Sequence, residues 1–266
     1  MKSILKSIGY ILFYMVFQMI IMSMVSMVVG TASGSKEQME MFVNNNMMLL
    51  TVISNILTVI ILILFIKLRK KSLSEELQAK RVDIRNYILP CVITFTYSMA
   101  FSLLTYNMSF ENTKIVQNGV EYYSGLMPHL GMILQIIALL LVAPITEEFI
   151  CRGIILTKLR KEHGGMVSIV LSALLFAFLH IMAGGVVLVL GSLIVGVILG
   201  VICIRTKSLL PAIAAHIFAN LPDFIIPILP ELTAILRYGL VIVFASVFVC
   251  AIYILSLIHI SEPTRP

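Results

Sequence analysis

Long apolar runs dominate the chain, and they constrain its fold more than any other feature. A membrane-crossing helix needs about 20 mostly apolar residues, and eight such runs are found, at 8–30, 47–67, 87–106, 130–150, 167–183, 185–204, 209–227 and 235–258. Of the 266 residues, 60% are hydrophobic and 12% charged. Soluble domains carry about twice that charge, so soluble globular folds are excluded. The first run is too long for a signal-peptide core and reads as a retained span. The expected architecture is an all-α, polytopic transmembrane bundle of about eight helices.

Charge between the runs alternates. Lys2 and Lys6 precede the first run, six Lys and Arg occupy 68–86, Arg152, Lys158, Arg160 and Lys161 occupy 152–163, and Arg205 and Lys207 lie near 205. The intervening loops, 31–46, 107–127, 184–185 and 222–237, hold at most one basic residue each. The bias places both termini in the cytoplasm and requires an even number of spans. The formal net charge of +6 therefore orients a membrane protein, and no nucleic-acid partner is implied. The four cysteines, Cys91, Cys151, Cys203 and Cys250, lie in or beside apolar runs without metal-ligand spacing, so they read as small apolar residues. Residues 1–258 form one integral-membrane domain. The tail 259–266 resembles translated adaptor sequence, reads as non-native, and is assigned no function.

Polar residues inside apolar runs are costly and mark function by default. Three stretches carry them: "TEEFICR" (146–152), "FAFLH" (176–180) and "HIFAN" (216–220). Gly164-Gly165 is a turn signal. Glu148 lies 16 residues before Gly164 and His180 lies 16 after it, each about 24 Å along a helix from the turn. His216, nine residues beyond Lys207, falls at a similar depth. Glu148 and Arg152 are spaced i, i+4 for an ion pair, and Glu147 points about 100° away from Glu148. His216 and Asn220, and likewise Phe176 and His180, share faces. A buried glutamate can take a proton from water, an imidazole can orient that water or bind a metal, and a second His with an Asn can serve an oxyanion.

Each stretch alone has an ordinary explanation: an interfacial salt bridge, a hydrogen-bonded structural histidine, or polar glue between helices. Three at one depth do not. Elsewhere, His163 reads as solvated, His129, Asp223, Glu231 and His259 as bland, Asn55 as a packing group, and Gly191, Gly196 and Gly200 as a close-packing face.

At these residues the sequence resembles the CPBP family of intramembrane metalloproteases, which includes type II CAAX prenyl endopeptidases and proteins of bacteriocin processing and self-immunity. E-E-x-x-x-R is matched by Glu147, Glu148 and Arg152, F-x-x-x-H by Phe176 and His180, and H-x-x-x-N by His216 and Asn220. The resemblance covers about residues 130–222. It implies an eight-helix intramembrane endopeptidase with the lipid bilayer as partner. The substrate does not follow from it. The compact eight-span form reads as a protein of the bacterial plasma membrane, and a peptide or membrane protein such as a bacteriocin-type precursor is the working expectation for the substrate. Glu147 would be the general base, His180 would position water, His216 and Asn220 would hold the oxyanion, and Glu148, Arg152 and Phe176 would support them. A zinc ion on Glu147, His180 and His216 and a metal-free glutamate-activated water both remain open, since no HExxH is present. A transporter is a competing reading, weakened by the absence of an inverted repeat. A non-catalytic immunity or scaffold protein is another.

Overall fold

A computed structural model describes residues 2–33, 35–70, 72, 77–105, 131–181, 185–229 and 232–260. The described residues form nine helices: α1 (Lys2–Ser33), α2 (Lys36–Asn45), α3 (Met47–Leu68), α4 (Arg85–Thr105), α5 (Gly131–Leu159), α6 (Gly165–Leu179), α7 (Gly185–Thr206), α8 (Leu210–Ile228) and α9 (Ala234–Ile260). Seven of them, all but α2 and α6, are long and apolar enough to cross a membrane. The chain is thus an all-α, polytopic bundle. The expected fifth span is a helix of 15 residues, about 22 Å long and shorter than a hydrocarbon core of about 30 Å. Much of the expected 31–46 loop is helical, as α2 lying against α1. The expected loop at 107–127, His129 and Glu231 lie outside the described residues.

The fourth span is the main departure from expectation. It was expected to end at 150, before a basic loop. It continues to Leu159, because Ile150, Cys151, Ile154, Ile155 and Leu156 are all buried. Arg152 does not end the span, because its charge is neutralised from within the helix. Two stretches of α5, Ile137–Val142 and Phe149–Leu156, are π-helical, a wider winding that recurs at functional sites.

α5 is the hub, touched by α1, α3, α6, α7 and α8, while α4 packs on α7, α8 and α9. The outermost helices face lipid: 6% of the most apolar stretch of α9 is buried, and 11% of that of α1. Lipid tails are as apolar as leucine, so the helices are held by close packing and polar ties. The Tyr14 hydroxyl donates to Asn55 Oδ1 at 2.8 Å, joining α1 to α3. Ser172 Oγ donates to the Cys151 carbonyl at 2.8 Å, joining α6 to α5. Thr94 Oγ1 donates to the Ala215 carbonyl at 2.7 Å, joining α4 to α8.

Small residues set the α6–α7 distance. A Cβ on Gly196 would lie 3.1 Å from Ala173 Cα, Ala173 Cβ and Phe176 Cδ1, and one on Gly200 would lie 3.1 Å from Ile169. One of the Gly196 contacts is backbone, so the helices themselves must part. Gly196→Ala is therefore expected to cost about 1–3 kcal/mol. Gly239→Ala on α9, where nothing lies within 4 Å, should stabilise slightly through helix propensity. Thermal unfolding in detergent checks the pair, and equal melting temperatures would refute this packing argument.

Candidate active site

The α5–α6 hairpin brings the first two motifs together. Arg152 lies 12 residues before Gly164 and Phe176 lies 12 after it. Antiparallel helices turning there place them side by side, and the Arg152 Cζ sits 4.6 Å from the Phe176 ring centroid. The same ring packs against both imidazoles, with centroids 4.8 Å from His180 and 5.4 Å from His216. Phe176 is thus the buried platform on which cation and imidazoles meet.

Adjacent carboxylates have separate fates. Glu148 is fully buried, and its Oε1 accepts from Arg152 Nη1 at 2.7 Å and from His216 Nδ1 at 2.9 Å. The second nitrogen of that guanidinium, Nη2, donates to the Gly196 carbonyl at 2.8 Å, so one cation ties α5 to itself and to α7. An ionised carboxylate only accepts, so His216 carries a proton on Nδ1. Its other nitrogen, Nε2, faces Glu147 Oε2 at 3.8 Å. Glu147 retains 16% exposure where Glu148 has none. No described residue hydrogen-bonds the Glu147 carboxylate.

His180 is the first residue past α6. Its Nδ1 bonds the Phe176 carbonyl at 3.1 Å, which leaves Nε2 free to face elsewhere. Asn220 is positioned by a device that the motif alone did not reveal. In the first π segment, Ala143 N–H bonds the Ala138 carbonyl, five residues back. The next donor in that register would be residue 144, paired with Leu139. Residue 144 is proline and has no N–H. The orphaned Leu139 carbonyl accepts from Asn220 Nδ2 at 2.9 Å instead. Pro144 is the sequence signal that could have predicted this partner.

The structure therefore joins Glu147, Glu148, Arg152, Phe176 and His216 directly. His180 is linked through the Phe176 ring, and Asn220 lies one turn further along α8. As a metal site the set does not fit: among the described residues, no three His, Cys, Asp or Glu side chains converge closely enough to hold an ion. Phe176 stands against both imidazoles, Glu148 occupies His216 Nδ1, and Glu147, His180 and His216 do not form a three-donor set. Outside the site, His163 is not simply solvated, since its Nε2 lies 3.3 Å from Ser3 Oγ. The packing reading of Asn55, Gly196 and Gly200 agrees with their contacts.

Taken together, the fold and this cluster define a multi-pass membrane protein with a buried carboxylate–imidazole centre. Residues 129–222 match the family model described as Rce1-like, type II CAAX prenyl endopeptidase. The match spans just over a third of the chain and falls on the segment that carries the three motifs, so this segment is similar to that membrane-protease family, the group that the motifs resemble. No curated protein and no solved structure matches the chain significantly.

Proposed function

We propose that the protein is an intramembrane endopeptidase that hydrolyses a peptide bond in a membrane-associated peptide or protein through water activated by Glu147. The observation that carries this reading is the division between adjacent carboxylates. Glu148 is buried and held through Oε1 by Arg152 and His216, while Glu147 is partly exposed and 3.8 Å from a histidine nitrogen.

In this reading Glu147 takes a proton as the water oxygen attacks the carbonyl carbon, and His180 orients that water. The resulting oxyanion accepts from the remaining Asn220 amide N–H and from His216 Nε2–H in the imidazolium form. Glu147 then returns its proton to the departing amine as the C–N bond breaks. Glu148 fixes the tautomer and orientation of His216. Such positioned acid–base and oxyanion groups each contribute about 10²-fold or more.

The test uses the purified chain in nanodiscs with fluorescence-quenched peptides ending in a prenylated or an unprenylated cysteine motif. It is paired with mass spectrometry of membrane peptides from cells with and without the protein. Cleavage of either peptide class, or a product peptide that depends on the protein, is the expected result. A folded protein that cleaves neither peptide and leaves both peptide profiles identical would overturn the reading.

A further inference from the structure

Away from the carboxylates, α1, α3 and the end of α5 enclose a cleft of about 540 Å³. Its lining is graded. Lys6 lies near the start of α1, Arg69 follows α3, and Lys158 and Lys161 lie at the end of α5, so four cations gather at one end of three helices. Among the described residues of the lining Glu162 is the one carboxylate, and the Ser3 hydroxyl donates to it at 2.8 Å.

Deeper residues are apolar. Phe13 lies seven residues further along α1 than Lys6, and Ile61 lies eight residues back along α3 from Arg69. Each step is about 10–12 Å, and both run away from the cationic end. Leu62 and Phe65 complete this floor. Aromatic rings seat two of the cations: Arg69 lies 4.2 Å from the Phe65 centroid, and Lys158 lies 4.0 Å from that of Tyr10, to whose hydroxyl it also hydrogen-bonds. Gly9 lines the cleft, and a Cβ there would meet nothing within 4 Å.

We propose that this cleft binds one anionic phospholipid, with its phosphate among Lys6, Arg69, Lys158 and Lys161 and an acyl chain along Phe13, Ile61 and Phe65. Charge complementarity selects the occupant. The cations lie where the spans end and headgroups begin, and the apolar floor continues into hydrocarbon depth. A soluble anion would use the mouth and leave the floor unfilled, whereas a phospholipid matches both. Clustered basic residues beside spans recognise anionic lipid in this way. The site is separate from the carboxylate–imidazole cluster, and the proposal holds whether or not the protein is a hydrolase.

The test titrates the purified full chain in detergent with phosphatidylglycerol and with phosphatidylcholine of the same acyl chains, reading bound lipid by native mass spectrometry. Phosphatidylglycerol is expected to be retained preferentially. Lys6→Gln combined with Arg69→Gln should weaken it about thirtyfold. Gly9→Leu keeps every charge but fills the cleft between the cations and the apolar floor, and it should remove the bound lipid without lowering the melting temperature in phosphatidylcholine. If the Gln pair fails to fold, the swap Lys6→Arg with Arg69→Lys must keep the preference. Equal retention of the two lipids would overturn the proposal, as would unchanged affinity in Gly9→Leu. So would displacement of the lipid by inorganic phosphate, which would mark a free-anion site, or by an acidic peptide, which would mark a polypeptide site.

Discussion

Glu147→Gln should lower peptide cleavage by about 10²- to 10⁴-fold, the range for loss of a positioned general base, and leave the melting temperature unchanged. The amide nearly matches the carboxylate in shape but cannot take a proton from water. Stability is untouched because no described residue hydrogen-bonds the Glu147 carboxylate and 16% of that side chain is exposed. Glu148→Gln, one residue along, should behave differently. Its carboxylate accepts from Arg152 and His216 in full burial, so an amide there weakens the ion pair, releases the imidazole, and lowers stability and cleavage together. Cleavage rates and thermal unfolding of both variants in one detergent decide the matter. If Glu147→Gln cleaved at the wild-type rate while Glu148→Gln lost cleavage alone, the two glutamates would have exchanged roles. A scaffold protein would keep its cellular phenotype with Glu147→Gln, and a transporter would lose flux without any peptide product.

The contrast between these glutamates was readable in the sequence, because adjacent residues on a helix point about 100° apart and an i+4 arginine can reach one of them alone. The level at which α5 and α6 meet was readable too. The count outward from Gly164 that set Glu148 level with His180 also sets Arg152 level with Phe176, and the cation sits on that ring. The length of α5 was not legible, because an arginine reads as the end of a span unless its partner is already known to be buried beside it. Nor were the π segments, since periodicity arguments assume 3.6 residues per turn, and hydrogen bonds that close one residue later change which carbonyl lacks a donor. The Leu139–Asn220 bond follows from that shift and from Pro144, and Asn220 lies 81 residues after Leu139 and 76 after Pro144, so no local pattern connects them. The lipid cleft was hidden for a related reason. Lys6, Arg69 and Lys161 read separately as orienting charges, and only the packing of α1 against α3 and α5 makes one site of them.

Arg152→Ala should destabilise the protein by about 3–5 kcal/mol, the usual cost of stripping the partner from a buried charge. Arg152 and Glu148 are both inaccessible to solvent and 2.7 Å apart. Removing the cation leaves a carboxylate whose Oε2 already lacks a hydrogen-bond partner among the described groups. It also frees the Gly196 carbonyl and uncovers the face of Phe176, so α5 loses its tie to α7. Lysine should recover part of the loss, since a single ammonium supplies charge but cannot span carboxylate, carbonyl and ring as a planar guanidinium does. The charge component can be isolated by adding Glu148→Gln to Arg152→Ala, which removes the stranded anion. The double variant should be more stable than Arg152→Ala alone, with a coupling within the range of about 0.5–3 kcal/mol found for residues in contact. Reversible unfolding in mixed detergent measures all four corners of the cycle. If Arg152→Ala unfolded with the wild type, or if the double variant gained nothing over the single, the buried pair would not be what holds α5 in place, and the orientation of His216 would need another source.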